Sequence, residues 1–274
     1  MTAPNLIAPP GACDTHMHVY EPGYGMAPTA LLPPPDGRLE DYRRVQERLG
    51  LERVVIVQPT TYGDDNRCTL EAMTALGGSA RGVAVVGTGA GDEVYEDLTA
   101  RGIRGIRFHM LPGGALPWED LDVLAGRAAD HGWHIQLQLD GRLLPEFATL
   151  IGGWPGELVI DHTGKFLDPV SPDHAAFECL KELVAGGAWV KLSAPYETSK
   201  AGPPHFDDIA ALARELVRES PDHMLWASNW PHPGQDPRPD DAMLLDTLLN
   251  WADDEATRNK ILVDNPARLY GFND

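Results

Sequence analysis

Two histidines one residue apart, His16 and His18 in "DTHMHV", end an apolar run that begins at Ala12. Alternate side chains of a strand share a face, so both imidazoles point to one side. Such a pair holds a metal, or handles protons and substrate oxygens. Three more polar groups sit at the ends of strand-like runs: Arg107 in "GIRGIRFHM", His162 in "LVIDHT" and Asn229 in "HMLWASN". An arginine fork pairs bidentately with a carboxylate. Arg104, three residues before Arg107, is expected to point the opposite way. An asparagine donates and accepts hydrogen bonds, but it is no general base near neutral pH.

The elements that must carry these groups form a regular series. Eight runs rich in Val and Ile begin at Ala12, Arg53, Arg81, Gly102, Trp133, Leu158, Trp189 and His223. Segments of helical periodicity separate most of them, such as "LEDYRRVQERLG", "WEDLDVLAGRAADHG" and "FDDIAALARELVRES". Alternating strands and helices with nearly continuous apolar strands imply a parallel sheet covered by helices, and eight units close as a (β/α)8 TIM barrel. No G-x-G-x-x-G follows the first strand, which argues against an open dinucleotide-binding sheet. The Pro/Gly-rich stretches "YEPGYGMAPTALLPPPDG" and "PHPGQDPRPDD" fall after the first and last strands, at the barrel end where active sites are built. No linker divides the chain, so residues 1–274 are read as one domain.

Composition narrows the function. With 43% hydrophobic and 23% charged residues the chain is globular in character, and no uninterrupted apolar run is long enough to span a membrane. The N-terminal stretch lacks the pattern of a secretion signal, so a cytoplasmic location is expected. Cys13, Cys68 and Cys179 are far apart and form no CxxC pair, which disfavours a disulfide framework or a structural zinc site. A formal charge of −19 repels nucleic acid and anionic membrane. The partner expected is a small molecule, and the sequence does not set the oligomeric state.

Strand 1 HxH, strand 6 "DH" and strand 8 "NWPHP" together resemble the amidohydrolase superfamily, in the lactone-processing branch that contains 2-pyrone-4,6-dicarboxylate lactonase and D-galactarolactone isomerase. The likeness runs from "GACDTHMHVYEPG" through "VVIVQPTTYGDDNR" and "GIRGIRFHMLPGG" to "LVDNPARLYGF". It implies a distorted amidohydrolase-type barrel that works without a metal or other cofactor, with Arg107 holding a substrate carboxylate. Strand 5 agrees on the metal: its rim offers only Gln138 and Asp140, and His134 lies at the wrong end. Asn229 stands where hydrolytic relatives hold an aspartate base, and the isomerase pattern has the same asparagine. The lactonase's second substrate arginine is replaced by "PGGAL"; "EPGY" and "YETS" are also isomerase-like, whereas "YGDDNR", with Asn66 and Arg67, is lactonase-like.

The resemblance makes Tyr20, Tyr24 and Tyr196 candidates for binding hydroxyls, with Asn66, Gln138 and His232 as further substrate contacts. Trp230 is a candidate wall of the pocket. His131, His174, His205 and His223 are read as surface or structural. The expected activity is metal-independent isomerisation of an anionic sugar-acid lactone, D-galactaro-1,5-lactone to its 1,4-lactone, with His16, His18 or His162 moving the proton. The alternatives are a lactone hydrolase of the 2-pyrone-4,6-dicarboxylate type, a zinc amidohydrolase or decarboxylase, and a non-catalytic barrel that binds a sugar acid.

Overall fold

The computed structural model describes residues 3–272. Eight parallel strands follow one another around the sheet in chain order: β1 Cys13–Met17, β2 Arg53–Val57, β3 Ala80–Ala84, β4 Ile103–His109, β5 His134–Gln138, β6 Leu158–Ile160, β7 Trp189–Ser193 and β8 Met224–Ala227. Each begins within one residue of the start read from the sequence. Main-chain hydrogen bonds just past β8 bring the last strand back to the first: Asn229 N donates to His16 O and His18 N to Trp230 O, both at 2.8 Å. The sheet is a (β/α)8 barrel.

The helices bear out the periodicity. The segment after β1 forms α1, Leu39–Leu49, which stops at Gly50; the glycine takes φ 72°, and its N–H caps the carbonyls of Gln46 and Glu47. Before β8, a second long helix, α2 (Asp207–Glu219), buries Ile209, Ala210, Leu212, Ala213, Leu216 and Val217, one stripe at helical spacing. This stripe packs into the layer between helices and strands, which includes the outward strand residues Ile56, Phe108, Leu137 and Leu192.

Inward residues divide into two levels. Cys13, Val55, Val57, Val83, Val159, Trp189 and Leu225 fill the floor together with Tyr270 and Phe272. "DNPARLYGF" therefore plugs the barrel. Above the floor the inward residues turn polar, and β1 achieves this with a register irregularity between Asp14 and Met17. Strict alternation from inward Cys13 would turn His16 outward. The bulge resets the parity, so His16 and His18 both enter the barrel.

Asp14, left outside that turn, ties β1 to the end of β8. It accepts hydrogen bonds from Ser228 N (3.0 Å), Ser228 Oγ (2.5 Å) and Tyr42 Oη (3.0 Å). Burial pushes its carboxyl up to about 6, against these hydrogen bonds, which pull it down. The three cysteines are free and buried. No helix among the described residues is long and apolar enough to cross a membrane.

Candidate active site

A cavity of about 410 Å³ opens at the C-terminal ends of the strands, lined by His18, Tyr20, Arg107, His109, Gln138, His162, Lys165, Glu197 and Asn229, with Leu31 to Pro33 and Leu111 to Gly113 at its mouth. His16 lies beneath, fully buried. Its Nε2 is 3.3 Å from Nε2 of His18, so the HxH pair meets edge to edge.

Partners decide the proton positions. Nδ1 of His18 lies 2.7 Å from the carbonyl of Val57, which only accepts, so Nδ1 carries the proton. Burial and the nearby Arg107 lower this imidazole to about 3, and the neutral ring presents an Nε2 lone pair to His16. Gln136 is oriented by Lys191, whose Nζ donates to its Oε1 at 2.6 Å; its amide nitrogen then faces His16 Nδ1 (3.3 Å) and Asp161 Oδ2 (3.1 Å). Nδ1 of His16 also lies 3.3 Å from Asp161 Oδ1; a ring protonated on Nε2 donates to His18 while this Nδ1 accepts from the Gln136 amide. The two imidazoles are thereby locked in a network at the base of the cavity, His18 in its lining and His16 beneath.

His162 differs. It follows β6 in a turn where His162, Thr163 and Lys165 have φ of 53°, 54° and 49°, a conformation that side chains with a Cβ rarely take. Its Nδ1 is 2.8 Å from Ser193 Oγ, and that hydroxyl turns its own proton to Lys191 O at 3.4 Å. Nδ1 of His162 then donates, and the Nε2 lone pair is left for the cavity. Burial, with the cations around it, keeps the ring well below the usual histidine range and hence neutral.

Arg107 is only 4% exposed, yet among the described residues no carboxylate lies within ion-pair distance of it. Its guanidinium donates to Gln58 O (2.7 Å) and Gln138 Oε1 (3.2 Å), and burial lowers its pKa. Such a cation is held at a desolvation cost that a bound anion offsets. Lys165, by contrast, is in direct contact with Glu197. Below them, fully buried Lys191 stands 3.9 Å from Asp161.

Asn229, with φ 60°, donates through Nδ2 to Tyr196 Oη (2.9 Å) and Glu197 Oε1 (3.2 Å). A carboxylate only accepts, so Glu197 fixes the amide orientation and turns Oδ1 elsewhere. Behind the amide, Tyr196 Oη meets His232 Nδ1 (2.8 Å), and His232 Nε2 meets Asp241 Oδ1 (2.9 Å). Arg48 closes this chain on Asp241 at 3.3 Å.

The structure thus gathers His18, Tyr20, Arg107, Gln138, His162 and Asn229 around one cavity, with His16 beneath. Four other candidates lie outside the lining. Tyr196 and His232 brace Asn229 from behind. Tyr24 packs on Tyr62, and its hydroxyl turns to Glu71. Asn66 clamps Val85, donating to its carbonyl (2.7 Å) and accepting from its N–H (3.0 Å). Trp230 is buried against Tyr42 rather than walling the cavity. Of the other histidines, His131 stacks on Tyr95, His174 caps the helix Ala175–Ala185, and His134 lies against Tyr270 at the floor.

The sequence reading omitted Lys165, Glu197, Asp161, His109 and Lys191. A signal for Lys191 was present: in the strand "WVKLS" a lysine alternates with Val190 and Leu192, so it must point inward.

Among the described residues, His16, Asp161 and His162 form the group whose donor atoms lie close enough together, within 4.8 Å, to hold a metal. The set suits a divalent ion poorly. Asp161 already accepts from Gln136 and faces Lys191, Arg107 adds a second buried cation, and the β5 rim contributes no ligand. Gln138 is turned to Arg107, and Asp140 to Arg142 at 2.6 Å.

Comparison with known proteins shows the family. The family model described as "Amidohydrolase" matches residues 13–272. A D-galactarolactone isomerase from Agrobacterium fabrum is 37% identical over 98% of this chain and 94% of its own. A 4-sulfomuconolactone hydrolase from Rhizobium radiobacter is also 37% identical, over 97% of this chain and 92% of its own. The crystal structure of an Agrobacterium tumefaciens protein, without ligand, superposes with a TM-score of 0.94 at 36% identity, covering 99% of both chains.

Proposed function

The chain belongs to the amidohydrolase family, and from that premise we propose that it is a metal-independent isomerase of a sugar-acid lactone, converting D-galactaro-1,5-lactone to the 1,4-lactone. The whole chain acts as one barrel domain in cytoplasmic sugar-acid catabolism. The observation that carries this reading is Asn229: both N–H groups of its amide are committed, to Tyr196 and Glu197, so it offers the cavity an acceptor for a hydroxyl and no base for water.

The chemistry balances without water. Arg107 binds the free carboxylate of the lactone. The hydroxyl at C4 attacks the C1 carbonyl, a new C–O bond forms, and the C1–O5 bond of the six-membered ring breaks. Nε2 of His162 takes the proton from the incoming oxygen and returns it to O5. Gln138, whose Oε1 is held by Arg107, has amide N–H groups that can donate to the developing oxyanion beside that guanidinium. Because attack is intramolecular, connectivity supplies several kcal/mol of the barrier, with effective molarities of about 10⁵ M or more, so a weak neutral base suffices.

One observation favours a second reading, lactone hydrolysis. Glu197 places a carboxylate 3.2 Å from Asn229, where it could activate water, and a hydrolase is as similar in sequence as the isomerase. Incubating purified protein with D-galactaro-1,5-lactone and following ring size by ¹³C NMR separates the two. Enzyme-dependent appearance of the 1,4-lactone supports isomerisation, and enzyme-dependent loss of all lactone to galactarate contradicts it.

A further inference from the structure

We propose that Glu197 is a specificity residue that masks Lys165 and so restricts the cavity to lactones carrying a single negative charge. The proposal rests on the lactone reading above and adds to it the charge class of the substrate and the residue that sets it.

The argument is a balance of charge. Among the described lining residues the ionic groups are Arg107, Lys165 and Glu197. The three lining histidines, His18, His109 and His162, are neutral at physiological pH, since burial holds His18 and His109 at about 3 and His162 well below its usual value. Beneath the lining, Lys191 and Asp161 face each other and add no net charge. The lining therefore carries one positive charge in excess. Burial brings Lys165 down to about 8, so near neutral pH it remains an ammonium, and Glu197 neutralises it.

Glu197 is held in this role from two sides. It ends the short turn Pro195–Glu197 after β7, which Ala194 enters at φ 49°. Nδ2 of Asn229 donates to one carboxylate oxygen and Lys165 contacts the other. Its side chain is 15% exposed and that of Lys165 is 9%, so water screens the pair little. A monoanionic lactone pairs with Arg107 and leaves the cavity neutral. A second carboxylate or a sulfonate finds no free cation among the described lining residues and instead meets the carboxylate of Glu197. Repulsion of this kind excludes a wrong ligand as effectively as attraction selects the right one.

Two sugar acids that share a six-carbon skeleton and the C2–C5 hydroxyls report on the charge: galactonate, with one carboxylate and a primary hydroxyl at C6, and galactarate, with a second carboxylate there. Calorimetric titration of the wild-type protein should favour galactonate, by about 10²-fold for a like-charge encounter of several kcal/mol. In Glu197→Gln the freed Lys165 should narrow or reverse that preference by at least tenfold, and adding Lys165→Met should abolish the gain. Glu197→Asp retains the charge and should keep the wild-type preference, which protects the test if the amide variant folds poorly. Equal preference in wild type and Glu197→Gln, or an equal loss of both ligands, would overturn the proposal. Turnover of D-galactaro-1,5-lactone by the same wild-type preparation is the separate readout: its absence would sink the functional reading while the binding ratios still judged the charge filter.

Discussion

The floor and the rim of this barrel are built from the same eight strands, yet they follow opposite rules. On the floor, inward side chains are Val, Leu, Trp and Cys, sealed by Tyr270 and Phe272. At the rim, a few residues further along the same strands, the inward groups are His16, His18, Arg107, Gln138, His162 and Ser193, and the charged one among them, Arg107, has no carboxylate within ion-pair distance among the described residues. Backbone strain follows the same division. Of the seven non-glycine residues with positive φ among the described residues, six lie just beyond β6, β7 and β8: His162, Thr163, Lys165, Ala194, Asn229 and His232. Each such residue costs about 1–3 kcal/mol and persists only where its surroundings enforce it. The floor provides stability, and the rim holds polar groups in positions that stability alone would not select.

Substitutions should separate the two regions. Arg107→Met removes the unpaired cation, so kcat/KM should fall about a thousandfold while the melting temperature holds or rises. Tyr270→Ala should do the reverse, lowering stability by about 3–5 kcal/mol and leaving kcat per folded molecule unchanged. Urea titration alongside steady-state kinetics reads both, and a large activity loss in folded Tyr270→Ala would break the division. Next in size, His162→Gln keeps a polar group near Ser193 but removes the base, and kcat should drop about 10²–10⁴-fold with little change in KM.

Asn229→Asp sharpens the contrast within the rim. The new carboxylate would lie beside Glu197, where Asn229 Nδ2 now stands 3.2 Å from Oε1. Two carboxylates so close share a proton, which raises one pKa. The single variant should therefore lose about 1–3 kcal/mol of stability near neutral pH and gain little hydrolysis. Asn229→Asp combined with Glu197→Gln should release lactone hydrolysis, scored as galactarate formed per enzyme.

The smallest effect is a pH dependence. Burial lowers His18, His109 and His134 to about 3. A depressed imidazole contributes stability that is present above its unfolded value near 6.5 and is lost as pH falls toward its folded value. Each removes stability as pH falls through that window. Asp14, raised to about 6, acts in the opposite sense between 6 and its unfolded value of 3.8. The histidines outnumber it, so the melting temperature should decline steadily below pH 6.5; a melting temperature that rises on acidification would contradict their neutral burial.

Much of this was legible in the sequence, for a physical reason. Strands buried on both faces read as continuous apolar runs, so all eight declared themselves. Polar residues interrupting those runs at inward positions, such as His16, Arg107 and Gln138, marked the rim. Tyr24 and Tyr196, unlike Tyr20, were misleading because a phenol satisfies its hydroxyl equally well inside the protein: Tyr196 serves His232 and Asn229, and Tyr24 serves Glu71. Lys165 and Glu197 stayed hidden because each lies in a turn beyond its strand, where charged residues are usually solvated. Only the folded backbone, with Lys165 at φ 49° and Glu197 three residues after Ala194, brings them together.

The central claim is that Asn229 and a neutral His162 move an acyl group within one molecule and keep water out of the reaction. Turnover of D-galactaro-1,5-lactone in ¹⁸O-enriched water, with a control lacking enzyme and mass analysis of the products, tests it most directly. The prediction is an enzyme-dependent 1,4-lactone free of label, and enzyme-dependent open acid carrying ¹⁸O would contradict it.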